Sequence, residues 1–88
     1  MTREDIQSGI LKIFSDQFEI DHPQLNEDLR EAHEFDSIDA IDLLSEIEKM
    51  LNSELSQNEK KQAMDIRTIS QICDYVESLA RSRGMVPA

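Results

Sequence analysis

The sequence predicts an all-α fold, specifically a small irregular four-helix bundle with a long loop between the first and second helices. Apolar residues recur at intervals of three and four in several segments, which is the spacing of one helix face. No segment of useful length alternates as a strand would, and the later connections are short while the one after the first helix is long. This pattern is typical of a compact helical bundle.

Length and charge restrict the class of protein. The chain has 88 residues, so we expect a single domain over 1–88 with a small core that buries roughly 60–65% of the unfolded surface. Nineteen acidic against nine basic residues give a net charge of −10, which argues against nucleic acid or an anionic membrane as partner and favours proteins with basic surfaces. We expect a monomer.

The cysteine content and the N-terminal segment indicate the compartment. A single cysteine, Cys73, forms no internal disulfide, and the N-terminal segment has neither the basic start nor the apolar run of a signal peptide. The longest apolar run is far shorter than a membrane span. We therefore expect a soluble, cytoplasmic protein with no membrane insertion.

The first predicted helix begins after Thr2. Thr2 and Asp5 form a variant of the capping box in which Asp replaces the usual Glu or Gln. The apolar residues of this segment repeat at helical spacing and predict a helix that ends near Ser15 or Asp16: Ile6, Ile10, Ile13 and Phe14. Gly9 lies beside this face, where it would allow a neighbouring helix to approach closely.

A long loop is predicted from Glu19 to Phe35. Helical periodicity fails here, and Pro23 disfavours helix at the residue before it. Long ordered loops need anchors, and we expect Leu25, Leu29 and Phe35 to pin this one to the core.

The second helix is predicted over about Ser37 to Leu51, with Asp36 or Ser37 as its N-cap. Steps of 100° per residue give one apolar sector, formed by Ala40, Leu43, Leu44, Ile47, Met50 and Leu51. Ile38 falls nearly opposite that sector and is expected to be exposed beside Ser37. The outer side also carries Asp39, Asp42, Ser45, Glu46 and Lys49.

Two further helices complete the bundle. A capping box that starts at Ser56 predicts a short helix over about Gln57 to Met64, with Ala63 and Met64 turned inward. A capping box that starts at Thr68 predicts the last helix, to about Arg81, and its core face holds Ile69, Ile72, Cys73, Val76, Leu79 and Ala80. Gly84 is a natural stop, and residues 83–88 are expected to form a loose tail.

Catalytic and metal sites are not indicated by the residue pattern. Ser37 would need a base to act as a nucleophile, and the histidines, His22 and His33, both lie in the loop without a Gly-rich elbow or oxyanion hole nearby. The acidic residues around Ser37 lack the spacing and the central glycine of a calcium loop. We expect Cys73 to be a small buried apolar residue.

The tripeptide Asp36-Ser37-Ile38, which opens an acidic helix in the middle of a small acidic helical chain, resembles the acyl carrier protein family over about residues 2–80. The resemblance implies that Ser37 carries 4′-phosphopantetheine, which a phosphopantetheinyl transferase adds from coenzyme A. It also implies docking of acyl-loading and acyl-processing enzymes, through basic patches, at a set of residues on the second helix: Asp36, Ile38, Asp39, Asp42, Glu46 and Glu48.

Four residues depart from the pattern of housekeeping fatty-acid carriers. Glu34 and Phe35 stand where those carriers usually have Gly-Ala, Ser45 where they often have methionine, and Lys49 where they have an acid. The resemblance thus implies an acyl carrier without catalytic activity, in fatty acid or specialised acyl or polyketide-type biosynthesis. An aminoacyl carrier, of the D-alanyl or peptidyl kind, and an unmodified acidic helical adaptor are the alternatives.

Overall fold

The computed structural model describes residues 1–85 and confirms the all-α fold. No strand occurs in this part of the chain. It contains five α-helices, and a short 3-10 turn at Ala63–Asp65 follows the fourth. The helices are α1 (Arg3–Phe18), α2 (Leu29–His33), α3 (Ser37–Leu51), α4 (Gln57–Gln62) and α5 (Ile69–Ser82). The arrangement is the expected small helical bundle with one additional short helix, α2.

Side-chain caps fix where the helices begin. The predicted capping boxes at Thr2, Ser56 and Thr68 are all formed, with the side-chain oxygen accepting from the N–H of the third helical residue. At α3 the cap is Asp36, whose Oδ1 accepts from the N–H groups of Ile38 and Asp39, each at 3.0 Å. Ser37 is therefore the first helical residue rather than the cap, and its side chain is not needed to start the helix.

One cluster of buried apolar side chains joins α1, α3 and α5 with the loops. From α3 it takes Leu43, Leu44, Ile47 and Leu51, which confirms most of the predicted core face; Ala40 and Met50 are partly buried. A Cβ placed on Gly9 of α1 would lie 2.7 Å from the Met50 sulfur. The expected close helix approach therefore occurs between α1 and α3.

The long loop differs from the prediction in two ways. It contains α2, five residues capped by Asp28, which was missed because a helix of little more than one turn has no periodicity to detect. Leu29 and Phe35 are buried as expected, but the Leu25 side chain is 38% exposed. The backbone anchors that residue instead, because the Leu25 carbonyl accepts from the Ser70 N–H at 2.9 Å.

Two other predicted elements are wrong in detail. Helix α1 continues to Phe18 instead of ending near Ser15 or Asp16, because the Phe18 ring packs against Phe14, with ring centroids 5.2 Å apart. Helix α4 ends at Gln62, and the tighter 3-10 turn that follows leaves Met64 45% exposed while Ala63 is buried. Met64 was expected to point inward, on the assumption of a continuous α-helix.

The segment after α5 makes more contacts than a loose tail would. Arg83 forms an ion pair with Glu59 at 2.9 Å, Gly84 has a φ of +69°, and the carbonyl of Met85 accepts from the N-terminal ammonium at 2.8 Å. Residues 86–88, the remainder of the expected tail, lie outside the described residues. Within residues 1–85, no helix combines the length and apolar character needed to cross a membrane.

The Asp36 cap gives a first prediction. We expect Asp36→Ala to lower the free energy of unfolding by about 1 kcal/mol, because two N–H groups of the first turn of α3 lose their acceptor. Asp36→Asn keeps an oxygen acceptor at the same place and is expected to cost much less. Urea unfolding followed by circular dichroism measures both, and equal losses for the two variants would contradict the capping role.

The Arg83–Glu59 pair gives a second prediction. Hydrogen bonding from the Arg83 guanidinium lowers the pKa of Glu59 to about 2 from an ordinary value of 4.5. Because the folded-state pKa is depressed, the stabilisation is complete above about pH 4.5 and is lost as the pH falls toward 2.

Glu59→Gln should therefore lower the free energy of unfolding at pH 7, by about 1 kcal/mol for a partly exposed pair. The difference from the unmutated chain should shrink as the pH falls below about 4.5. Urea titrations at several pH values test this, and a difference that stays constant down to pH 3 would contradict it.

Candidate functional site

The junction between α2 and α3 positions three successive side chains in different directions. Phe35 points inward and is 7% exposed, with its ring centroid 5.3 Å from those of both Phe14 and Phe18. Asp36 turns back to cap α3, and Ser37 is exposed to solvent. The packing of Phe35 on one side and the cap on the other leave the serine at a fixed outer corner of the bundle.

The short helix before this junction ends in a strained turn. Glu34 adopts the left-handed conformation, with φ of 55°, and its N–H bonds to the Leu29 carbonyl. Helix α2 is itself tied to the segment before α5, since the Leu29 N–H donates to the Arg67 carbonyl at 2.8 Å. The chain therefore reaches Ser37 from an anchored helix through a closed turn.

The Ser37 hydroxyl is well placed to react with an external group. Among residues 1–85 it makes no hydrogen bond, and it lies at the first position of a 15-residue helix. The N-terminal end of such a helix carries a partial positive charge, which favours an anionic group such as a phosphate near the hydroxyl. Sequence reasoning placed this residue correctly at the start of the helix and in solvent.

A narrow cleft opens beside the start of α3, between α3, the 3-10 turn and α5. The centre of a water-sized sphere can occupy about 20 Å³ within it, so the cleft admits little more than one water molecule in this conformation. Arg30 and Asp36 are the charged residues of its lining. The other lining residues are mainly apolar: Phe35, Ala40, Leu43, Leu44, Ile47, Ala63, Met64, Ile66 and Tyr75. The cleft thus offers an apolar space within reach of the serine corner.

The outer face of α3 carries two exposed apolar side chains. Ile38 is 69% exposed, as expected, and Ile41 is 61% exposed one helical turn further on. Ile41 was missed, although its spacing of three from Ile38 was a usable signal for the same face. A shallow groove beside Ile41 is lined by residues of α3, α4 and the 3-10 turn, including Ser45, Lys60 and Met64.

The expected docking carboxylates are not equally free. Asp42 is exposed, whereas Asp39 Oδ2 accepts from the Asp36 N–H at 3.2 Å and completes the capping box of α3. Glu46 pairs with Lys49 at 3.3 Å. Glu48 accepts from the Leu55 N–H at 2.8 Å. The structure therefore brings Ile38, Ile41 and Asp42 together as the exposed group, while the other four predicted acids, Asp36 included, have intramolecular partners.

The other candidate side chains have ordinary structural positions. His33 Nε2 lies 2.7 Å from Glu27 Oε1, and this hydrogen bond lowers the pKa of Glu27. Cys73 is buried, as expected, and burial raises the pKa of its thiol. No group of three or more His, Cys, Asp or Glu side chains in the described chain is arranged to hold a metal ion.

Comparison with known proteins is consistent with this geometry. The family model described as "Phosphopantetheine attachment site" matches residues 8–76. An acyl carrier protein of Rubrobacter xylanophilus is 32% identical over 78 residues, covering 86% of this chain and 93% of that protein. Acyl carrier protein 2 of Ralstonia nicotianae is 32% identical over 81 residues, covering 90% and 96%. An acyl carrier protein of Lactobacillus johnsonii is 28% identical over 80 residues, covering 89% and 96%.

These matches establish the general character of the chain. Proteins of this kind are carriers rather than enzymes, and they bear a covalently attached 4′-phosphopantetheine group. That role implies contact with a phosphopantetheinyl transferase and with acyl-processing enzymes. The chain belongs to the acyl carrier protein family.

Proposed function

We propose that this protein carries acyl groups in fatty acid or specialised acyl biosynthesis, with Ser37 as the attachment residue of its phosphopantetheine. The observation that carries the proposal is the exposed Ser37 hydroxyl, free of intramolecular hydrogen bonds, at the N-terminal end of α3. When attached, the group supplies a terminal thiol that holds an acyl chain as a thioester. The protein supplies a rigid attachment point and a surface that partners recognise.

The described residues fit such a group at Ser37. Its oxygen is accessible, and the α3 N-terminus favours the negative charge of a phosphodiester at this position. Because Asp36 alone caps the helix, modification of Ser37 costs no helix-starting hydrogen bond. Phe35 keeps the corner in place through its contacts with Phe14 and Phe18.

The nature of the cleft favours acyl over aminoacyl cargo. An aminoacyl thioester has a protonated amine, and burying a charge in apolar surroundings without a partner is costly. An alkyl chain has no such cost and gains roughly 0.8 kcal/mol for each CH₂ removed from water. The narrow cleft must widen to accept a chain, and its apolar walls then give the chain a favourable place.

The docking surface that we propose is centred on Ile38, Ile41 and Asp42. An exposed apolar pair beside a free carboxylate suits a partner with a basic patch around an apolar contact. Asp36, Asp39, Glu46 and Glu48 add negative potential but are held by intramolecular hydrogen bonds or ion pairs. Electrostatic attraction of this kind speeds association without making it tight, which suits a carrier that visits several enzymes.

Three of the four departures from the housekeeping pattern separate into two kinds. Phe35 is accounted for by the aromatic cluster with Phe14 and Phe18, so it does not indicate a particular partner. Ser45 and Lys49 are exposed on α3, where a partner would meet them. We therefore base the proposal of a specialised pathway on these two residues. The lone cysteine supports a reducing, cytoplasmic setting as part of the same proposal.

Attachment is tested by the mass of the intact protein. Incubation with coenzyme A and a broad-specificity phosphopantetheinyl transferase should add one phosphopantetheine, and Ser37→Ala should abolish the gain while the circular dichroism stays helical. Ser78→Ala, an exposed serine of α5 away from the proposed docking surface, is the matched control and should be modified normally. A mass gain that survives Ser37→Ala would refute the assignment.

Docking is tested by reversing one free charge. Asp42→Lys should slow modification by the transferase about tenfold or more at low salt, since it places a positive charge against a basic partner. Glu54→Lys makes the same charge change beyond the C-terminal end of α3, about 22 Å along the helix from Ser37, and should have little effect. Glu77 is unsuitable as a control because it pairs with both Arg3 and Arg81. Equal rates for the two variants would contradict the proposed surface.

A further inference from the structure

Helix α4 has little apolar surface to hold it in place. It spans only Gln57–Gln62, and none of its six residues is buried. The buried side chains nearest to it along the chain are Leu55 before its N-cap and Ala63 after its last residue. A helix this short is not stable by itself, so its position depends on contacts made by other parts of the protein.

The end of α5 provides such contacts through Arg83. Its guanidinium donates to both carboxylate oxygens of Glu59 on α4, each at 2.9 Å. It also donates to the Ser53 hydroxyl at 2.8 Å and to the Glu54 carbonyl at 3.0 Å, both in the connection between α3 and α4. A two-pronged ion pair with further hydrogen bonds has a defined geometry that an isolated surface pair lacks.

Tyr75, which lies within α5, holds the same point of α4. The hydroxyl of Tyr75 donates to the backbone carbonyl of Glu59 at 2.6 Å. The side chains of Arg83 and Glu59 are only 19% and 21% exposed. We use the name Arg83 clamp for Arg83, Glu59 and Tyr75 together. It is the polar attachment of α4 to α5.

The Arg83 clamp lies next to the cleft. Tyr75 is itself part of the cleft wall, and α4 leads directly into Ala63 and Met64 of the opposite wall. Met64 also lines the groove beside Ile41, together with Lys60 of α4. Any displacement of α4 therefore changes the width of the cleft and the shape of the groove at once.

We propose that Arg83 is a positioning residue that holds α4 against α5 through Glu59 and thereby sets how readily the cleft beside Ser37 opens. This inference rests on the proposed function, since it concerns the space assigned to the acyl chain. With the clamp closed, the cleft stays narrow and a bound chain is retained. Without it, α4 moves outward more often, and the cargo is exposed to solvent more of the time.

Two variants of the unmodified protein test the positioning. Arg83→Met keeps most of the side-chain volume and removes every guanidinium hydrogen bond. Glu59→Gln keeps an oxygen for the Ser56 N–H but removes the charge that Arg83 contacts. Arg81→Met is the matched control, because Arg81 lies two residues before Arg83, is 70% exposed, and its contact with Glu77 is 3.7 Å long.

Amide hydrogen exchange gives the first readout. Exchange at Lys60, Lys61 and Gln62 should become about tenfold faster in Arg83→Met and in Glu59→Gln, while amides in the middle of α3 should become no more than about fivefold faster, the change that the lower global stability alone gives. Arg83→Lys keeps the positive charge but loses the two-pronged hydrogen bond to Glu59. Its exchange rates in α4 should therefore lie between those of the unmutated protein and Arg83→Met. Unchanged exchange in α4 for both variants would overturn the inference, whatever the cargo experiments give.

Cargo exposure gives the second readout, on protein carrying either an octanoyl or an acetyl thioester. Hydroxylamine cleaves both, and an acetyl group is too short to reach far into the cleft. The ratio of the octanoyl rate to the acetyl rate should rise about threefold or more in Arg83→Met, because opening of the cleft exposes only the long chain. General loosening of the fold would affect both thioesters and would leave the ratio of their cleavage rates close to its original value.

The outcomes separate this inference from the function on which it rests. If the unmutated protein protects the octanoyl thioester and Arg83→Met leaves the ratio unchanged, the link between Arg83 and the cleft is wrong and the acyl proposal stands. If hydroxylamine cleaves both thioesters of the unmutated protein at the same rate, the acyl use of the cleft is wrong, and the exchange data decide whether Arg83 positions α4.

Discussion

The contact of Phe35 with Phe14 and Phe18 determines where the rest of the candidate site around Ser37 lies. Aromatic rings at these centroid distances bury large apolar areas and prefer defined relative orientations. With Phe35 fixed to α1, Asp36 is in place to cap α3, and Ser37 must face outward. The exposure of Ser37 is therefore a consequence of core packing, two residues away, and not of a flexible surface loop.

The helix starts are the part of the fold that the sequence predicts best. Capping is a local interaction between residues three apart, so Thr2, Ser56 and Thr68 could be recognised without knowing the tertiary structure. The bounds of α3 were likewise correct, because its cap and its apolar sector agree. The choice between Asp36 and Ser37 as the cap was settled only by the observed hydrogen bonds.

The errors occur where distant parts of the chain decide the local structure. Leu25 is held by its backbone carbonyl, an interaction with Ser70 that no local pattern reveals. Met64 is exposed because α4 gives way to a tighter turn, which changes the direction of every following side chain. The predicted core face of α5 omits Tyr75, although this residue lies three residues after Ile72 and four before Leu79. Its hydroxyl reaches the Glu59 carbonyl, a partner 16 residues away that no local pattern reveals.

The candidate site shows the same division between local and distant causes. The position of Ser37 and the exposure of Ile38 followed from helical geometry. The partners of Glu48 and Glu59 did not, since each carboxylate is engaged by a group at least seven residues away. Counting acids on a helical wheel therefore overestimates how many carboxylates are free to contact another protein. In the second turn of α3, Asp42 is the exposed carboxylate.

The left-handed turn at Glu34 determines how the corner can move. A residue with a Cβ resists this region of backbone space, and unlike glycine it has few alternative conformations to visit once the surrounding contacts hold it there. The joint between α2 and α3 therefore depends on the contacts on its two sides, the hydrogen bond to the Leu29 carbonyl and the burial of Phe35. Under the proposed function, the serine after this joint is the anchored end of the phosphopantetheine arm, and the arm spans the distance to a partner's active site.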